Sequence, residues 1–299
     1  MTSSTDPLNR IYAEEMRHYP YGYALYQPAS TAVIKPGIVG YFDSTGFWSP
    51  LADLNDTTAL KAAGLTPPKH PLSPAPPQDQ TWGPMTSKSV TGHDLKASPS
   101  LGPAATGLPL SASVQIKYTS SSSFGAVLVT NPPVTHSAFY FQSIFSSWVS
   151  ENAGALLSGE HKDDIHANGL VVVTQTYSTD KCALTAWTEG KGEAFLAFDA
   201  EVPGVGKADP NFSWHEGNSI SGWMGYEGSS PDKMVVFLGG LWFDCRKEGF
   251  GTLFRSTMSD ETQQDAGSRA DSIVVTNRHG ETYHLDGKVL GAPLASEAQ

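Results

Sequence analysis

The densest group of ionisable side chains in this 299-residue sequence is the run HKDDIH, from His161 to His166. Histidine and aspartate bind metal ions and transfer protons, so the run is a candidate for chemistry. Its histidines are five positions apart, which suits neither ligands one turn apart on a helix nor the alternating face of a strand. The spacing therefore predicts a solvated loop without bound metal.

A second candidate is the glycine-rich run EGKGE, from Glu189 to Glu193, which has the composition of a phosphate-binding loop. It lies between two strand-like runs, so a hairpin turn is favoured. The sequence contains no G-x-S-x-G, G-x-x-x-x-G-K-[ST], H-E-x-x-H or C-x-x-C motif. No specific reaction, metal or cofactor is supported, and we expect a protein without catalytic activity.

Composition narrows the class of protein further. With 30 Asp and Glu against 19 Lys and Arg, the net charge of -11 argues against general nucleic-acid binding, which requires a basic surface. Cys182 and Cys245 are too few for a disulfide framework, and we expect both to be reduced and buried. No apolar segment has membrane-helix length and the start lacks a signal-peptide core, which predicts a cytoplasmic protein.

The elements that must position any site are mainly strands. Alternating apolar residues predict an amphipathic strand from Leu110 to Tyr118 and another from Ala194 to Val202. Residues 170–178 and 181–187 are also strand-like, and Lys233–Cys245 is typical of a buried strand with a glycine break. The counts of 21 Pro and 29 Gly likewise favour a loop-rich, strand-containing protein.

Two helices are predicted beside these strands. Asp6-Pro7 is a helix-start signal that leads to Tyr19-Pro20, and apolar residues recur at helical spacing from about Ser137 to Leu157. The proline-rich run TPPKHPLSPAPPQDQTWGP is expected to be an extended loop or mobile linker. The fold class predicted is α+β, a twisted antiparallel sheet with peripheral helices.

The order, spacing and character of these segments resemble the pore-forming domain of the gasdermin family, especially its compact fungal members. The resemblance covers roughly residues 6–245 and lies in pattern more than in identities. The stretches that carry it are IKPGIVGYFDSTGFWSPL, VVVTQTYSTDKCALTAW, AFLAFDAEVPG and FSWHEGNSISGW.

The resemblance implies a cytoplasmic precursor that moves to the plasma membrane, inserts two β-hairpins per subunit and assembles into a large barrel pore that executes cell death. Residues 86–130 and 170–202 match the two regions that convert in the family. Nine to eleven tilted residues span a bilayer, and pairing every backbone group requires oligomers. The expected membrane-inserting residues are Val114, Ile116, Tyr118, Val171, Val173, Leu196 and Phe198.

Attachment to acidic phospholipids is expected from two sets of residues. Phe47 and Trp48 form an aromatic turn that could anchor at the membrane boundary, although a core tryptophan is the alternative. The remaining partner expected is a second copy or a related chain in a homo- or hetero-oligomer. The basic residues expected to contact headgroups are Arg10, Arg17, Lys35, Arg246 and Lys247.

The last 44 residues are predicted to regulate the body, residues 1–255. The tail, residues 256–299, has seven carboxylates and three basic residues, and Ile273–Leu285 is typical of a hairpin turning near His279-Gly280. It could cover a basic patch and pair with a strand edge needed for assembly. The polar stretch Ser256–Ala270 is a candidate protease site. Activation by a partner chain, without cleavage, is the competing hypothesis.

Two other functions stay open on the sequence alone. One is a stable, strand-rich recognition module of lectin type that presents Trp187, Trp214 or Trp223 on its surface. The other is a hydrolase with an unrecognised site.

Overall fold

The computed structural model describes residues 8–95, 114–141, 143–187, 193–198, 214–216, 223–248 and 269–291. Several sequence expectations lie outside these ranges. They are the helix start at Asp6-Pro7, the first part of the strand that begins at Leu110, the turn within Glu189–Glu193, the end of the strand at Val202 and the polar stretch 256–268.

Four helices occur in the described residues, all at the periphery of the strands. In the first, Ile11, Tyr12 and Met16 share a buried face. The last is the HKDDIH run, which was predicted to be a loop and instead forms a short helix that buries Ile165. The helices are α1 (Leu8–Met16), α2 (Thr57–Ala62), α3 (Ser143–Leu156) and α4 (Lys162–Asn168).

The third helix begins six residues later than the sequence indicates. Val134–Ala138 forms a strand that pairs with residues 175–178 of the central sheet. Ser137, where the helix was predicted to begin, is therefore part of this strand. Helix α3 then packs Phe145, Trp148 and Val149 against the sheet. Its apolar stripe is core, as expected from the helical spacing.

A nine-stranded antiparallel sheet forms the centre of the molecule. Its path is β16-β17-β15-β10-β2-β3, with β1 added to β15, β9 added to β10, and β4 added to β9. Its strands are β1 (Tyr23–Ser30), β2 (Ile38–Phe42), β3 (Trp48–Asp53), β4 (Gln78–Gln80), β9 (Val134–Ala138), β10 (Leu170–Thr179), β15 (Met234–Lys247), β16 (Arg269–Thr276) and β17 (Thr282–Leu290).

A break was expected at Gly239 and Gly240, but β15 continues through both residues. A Cβ added at Gly240 would lie 2.0 Å from the Val172 carbonyl oxygen, so β10 and β15 approach too closely for any side chain there. Opposite this point the register shifts between Val173 and Gln175. The glycines therefore accommodate a bulge in the neighbouring strand.

Each face of the central sheet has its own core. Helices α2, α3 and α4 cover one face, where Val172 and Phe243 are fully buried. Val171, Val173 and Trp242 lie on the opposite face with the residues that flank β2. Strand β10 is thus buried on both sides rather than half-exposed.

The proline-rich connection is not detached from this sheet. Gln78–Gln80 pairs with β9, Pro74 bridges to Phe139, and Trp82 is buried against Tyr21, Tyr177 and Phe237. The extended conformation expected from the prolines is observed, but as a packed edge.

Candidate functional site

Two smaller four-stranded antiparallel sheets, ordered β14-β11-β8-β5 and β13-β12-β7-β6, lie beside the central one. Each of four chain segments supplies one strand to each sheet in the same order, so together they form a single bent ribbon, here called the ribbon. Its strands are β5 (Met85–Thr86), β6 (Val90–Leu95), β7 (Val114–Ser120), β8 (Gly125–Thr130), β11 (Lys181–Trp187), β12 (Glu193–Phe198), β13 (Trp214–Glu216) and β14 (Met224–Glu227).

The ribbon consists of two antiparallel strand pairs side by side. One pair joins residues 85–95 to 114–130, and the other joins 181–198 to 214–227. They meet where β7 and β8 pair with β12 and β11. The second pair was only partly found from the sequence, which identified residues 170–202 and the returning stretch FSWHEGNSISGW but not the strand Met224–Glu227.

The structure brings most of the predicted membrane-inserting residues together on this ribbon. In the backbone ladder, Ile116 of β7 is opposite Leu196 of β12, and Val114 is opposite Phe198. Tyr118 is two positions further along β7 and is 2% exposed. Val171 and Val173 are not part of this group, because they lie in β10 between β15 and β2.

Helix α1 covers the half of the ribbon nearest the central sheet. Tyr12 and Met16 share a core with Ala126 of β8 and with Cys182 of β11. Burial raises the pKa of the Tyr12 hydroxyl well above its usual value, and that hydroxyl has no hydrogen-bond partner. Cys182 and Cys245 are both buried and form no disulfide, as the sequence predicts.

Serine side chains occupy the bend between the two halves of the ribbon. The hydroxyls of Ser89, Ser120 and Ser122 all donate to the Phe124 carbonyl oxygen, at 3.0, 2.9 and 2.7 Å. Ser87 Oγ accepts from the Ala126 amide at 3.2 Å. The hydroxyls thus satisfy backbone groups where the strand ladder is interrupted.

The same bend is tied to α1 and the residues that follow it. Tyr19 Oη accepts from the Thr86 amide at 3.0 Å and lies 3.2 Å from the Thr86 carbonyl oxygen. Burial raises the pKa of the Glu15 carboxyl, against hydrogen bonds from Ser87 and Ser89 that lower it. Contacts from α1 and its C-terminal side therefore hold the bend as well as the strands.

The two residues of the predicted aromatic anchor, Phe47 and Trp48, differ in exposure. Asp43 accepts from the Thr45 and Phe47 amides and fixes the turn. Phe47 at its tip is 61% exposed, whereas Trp48 is 5% exposed and packs 4.9 Å from the Phe42 ring. Only Phe47 is presented at the surface, and Trp48 is a core residue.

The predicted headgroup-binding residues lie on separate elements and are mostly ion-paired. Arg17 is 3.3 Å from Glu14, and Lys35 is 2.9 Å from Asp53. Arg10 is on α1. The remaining pair, Arg246 and Lys247, is at the end of β15. The five residues therefore come from three separate parts of the chain, and four of them have carboxylate partners.

The tail hairpin predicted from the sequence is present as β16 and β17. Gly280, at a φ of 77°, is in its turn, as expected. Strand β17 pairs with β15 from Gly240 to Lys247, and its Tyr283 and Leu285 are fully buried in the core beneath α3. The hairpin is an integral edge of the central sheet.

Tail carboxylates neutralise the cations at the end of β15. Glu281 lies 2.7 Å from Lys247 and 2.6 Å from Lys162 of α4, and it accepts from Asn277 at 2.7 Å. Arg246 pairs with Asp286. Hydrogen bonds from Lys162 and then Lys247 hold the pKa of Glu281 far below its usual range, and the bond to Glu281 raises the pKa of Lys162.

The other functions that the sequence left open depend on surface tryptophans or an unrecognised site. Trp187 packs on Gly125, where an added Cβ would lie 2.3 Å from its ring, and Trp223 is 6.1 Å from the Tyr118 ring. Both are half-buried. Trp214 lies on β13, where the structure describes the backbone only.

Within the described ranges, no three His, Cys, Asp or Glu side chains converge as metal ligands. In the same residues, no helix combines the length and apolar character needed to cross a membrane.

Comparison with known proteins gives no family assignment. The sequence matches no protein-family model, and it has no significant similarity to a curated protein.

Proposed function

We propose that this chain is a pore-forming protein of the gasdermin type, which attaches to acidic membranes, oligomerises and inserts the two strand pairs of its ribbon. The observation that carries the proposal is the ribbon itself. Four segments of the chain run as adjacent antiparallel strands outside the central sheet. The segments predicted to alternate, around residues 114–118 and 194–198, pair with each other within it.

Insertion of such strands is physically reasonable for two reasons. Strand pairs can leave the body without breaking the β10–β15 ladder, because the ribbon and the central sheet are separate hydrogen-bonded units. In lipid, every backbone amide and carbonyl must be paired, so strands from neighbouring subunits would complete the ladder at each edge. Oligomerisation is therefore part of the proposed mechanism.

We further propose that the β16–β17 hairpin restrains this change. Its carboxylates neutralise Lys162, Arg246 and Lys247, and β17 occupies the edge of β15. Its release would remove Glu281 from Lys162 and Lys247, leave Arg246 with Asp244 of β15 as its partner, and open a strand edge, so the surface would become more basic toward acidic headgroups. Phe47, exposed beside α1, would add an aromatic contact at the membrane boundary.

Dye release from liposomes of acidic phospholipid tests the proposal. The sample is the full chain with a site-specific protease sequence inserted after Asp260, so that the protein folds intact and is cut afterwards. We expect release after cutting and none from the uncut protein. A matched sample has the same sequence inserted after Gly64, in a turn whose surroundings are open.

Three other outcomes separate the hypotheses. Release only after addition of a related chain would assign activation to a partner and remove tail cleavage from the mechanism. A protein that binds liposomes as a monomer and never releases dye would favour the recognition module. Failure to bind or release under any of these conditions would overturn the proposed function.

A further inference from the structure

The bend of the ribbon does not interrupt all of its ladders in the same way. Where β8 pairs with β11, the residue numbers of each pair add up to 312, as in Gly125 opposite Trp187. Beyond the bend, where β7 pairs with β12, they again add up to 312, as in Thr119 opposite Glu193. The two segments, 114–130 and 182–198, therefore have the same number of residues across the bend and keep one register.

The outer strands behave differently. Where β5 pairs with β8 the numbers add up to 213, as in Thr86 opposite Val127, but where β6 pairs with β7 they add up to 210. On the other side, the β11–β14 pairs add up to 408 and the β12–β13 pairs to 412. The registers of the outer strands thus change across the bend by three and by four residues.

The register differences determine what straightening would require. Two strands in one register can close the gap by forming the missing ladder bonds, without sliding. A strand with two registers must slip along its partner, and a slip by an odd number turns every side chain to the other face. The central strands can therefore straighten together, and the outer strands cannot.

We propose that residues 114–130 and 182–198 form a permanent seam that enters the membrane in the register seen here, while the outer strands slip by three and four residues. The inference rests on the proposed function and specifies which contacts survive insertion. Each of these two segments spans 17 residues of the sequence, more than the nine to eleven tilted residues that cross a bilayer.

The side chains of a straightened seam suit this role. In a continuous strand, even-numbered positions share one face, and at one end of the seam that face has Val114, Ile116, Leu196 and Phe198. The odd-numbered face has Lys117 and Glu193 among its residues. One face is thus more apolar than the other, as a strand between lipid and water requires.

The serine network is located where the mismatch must be absorbed. Between Thr86 and Val90 the outer strand has three residues, whereas between Ser120 and Val127 its partner has six. Ser89 of the shorter segment, Ser120 at the end of β7 and Ser122 of the longer segment all donate to the Phe124 carbonyl oxygen. The network stabilises the mismatched, bent state and would be lost on straightening.

Disulfide locks test the seam in the cleavable full chain, with Cys182 and Cys245 replaced by Ala. Directly opposite residues of antiparallel strands are within disulfide range. The seam lock combines Ala126→Cys with Ala186→Cys, and Tyr118→Cys with Ala194→Cys. The outer lock combines Thr86→Cys with Val127→Cys, and Thr91→Cys with Thr119→Cys, which fixes both registers at once.

Dye release is measured for each variant after cutting, oxidised and then reduced. We expect the oxidised seam lock to release dye as its reduced form does, and the oxidised outer lock to release none until a reductant is added. Reversible inhibition by the seam lock, or free release by the outer lock, would overturn the inference and leave the proposed function standing. No release from any reduced variant, or from the parent, would overturn both.

Discussion

Glu281, in the turn between β16 and β17, lies 2.7 Å from Lys247 of β15, and its other carboxylate oxygen lies 2.6 Å from Lys162 of α4. One tail side chain thus joins three elements of the fold. Glu281→Gln would keep the shape and remove the charge, leaving two lysines near each other without their counter-ion. We expect a lower melting temperature at pH 7, measured by calorimetry. Glu227→Gln, in an exposed pair with Lys181, is the matched control and should change little.

The pH dependence of this contact follows from the direction of the two pKa shifts. The pKa of Glu281 is depressed in the folded state, so its stabilisation is present above the ordinary value of 4.5 and is lost as pH falls below it. The pKa of Lys162 is raised, so its stabilisation is present below the ordinary value of 10.5 and is lost above it. The wild type should exceed Glu281→Gln in melting temperature between these values. A difference that grows as the pH falls below 4.5 would contradict this assignment.

Phe47 and Trp48 should respond oppositely to substitution by Ser. Phe47→Ser removes an exposed ring, so the free energy of unfolding should change by less than about 0.5 kcal/mol, while co-sedimentation with acidic liposomes falls. Trp48→Ser removes a buried ring and should cost about 3–5 kcal/mol. Thermal unfolding and sedimentation of both variants provide the measurements. Unchanged sedimentation of Phe47→Ser would eliminate this residue as an anchor.

A charge on the apolar face of β7 should stop insertion. Ile116→Asp would place a carboxylate toward lipid at a cost on the order of 2 kcal/mol per subunit, repeated around the oligomer. Gln115→Asp, one position earlier and on the other face, is the control. Dye release after cutting should collapse for the first variant and persist for the second. Equal release from both, with folding intact, would show that this face of β7 does not meet lipid.

Gly240 should be intolerant of any side chain. An added Cβ would meet the Val172 carbonyl oxygen at 2.0 Å, so Gly240→Ala should destabilise the protein by about 1–3 kcal/mol through overpacking. Gly83, around which an added Cβ meets nothing within 4 Å, is the control. Chemical denaturation would compare the two. A neutral Gly240→Ala would mean that β10 and β15 can separate at the bulge.

Sequence patterns predicted the elements better than their partners. The alternation around Ile116 and the apolar run in β15 both correspond to strands, and the mixed fold with antiparallel sheets follows. The gasdermin-type arrangement stays a prediction. Val171 and Val173 show why strand patterns mislead, because a strand buried on both faces can contain the same alternating residues as one that faces water.

Helix α4 and the contacts of Glu281 were not predicted from the sequence, for different physical reasons. Helix α4 is seven residues long and buries one apolar side chain, so it lacks the periodicity that identifies a helix. Glu281 and Lys162 are far apart in the chain, and no local signal connects them. The serines of the bend are typical of an ordinary turn in sequence. Their hydrogen bonds to the Phe124 carbonyl oxygen could not be predicted, because they depend on how the strands fold around it.

Because β16 and β17 follow β15 in the chain, the place of β17 on β15 is filled only after these later strands have been synthesised. At about 5–20 residues per second, β15 leaves the ribosome several seconds before β17 follows. Each nascent polypeptide therefore passes through an interval with its Gly240–Lys247 edge uncovered. A product truncated between β15 and β17 by a nonsense mutation would keep that edge uncovered permanently, and a cell making it would depend on chaperones and quality control for its safety.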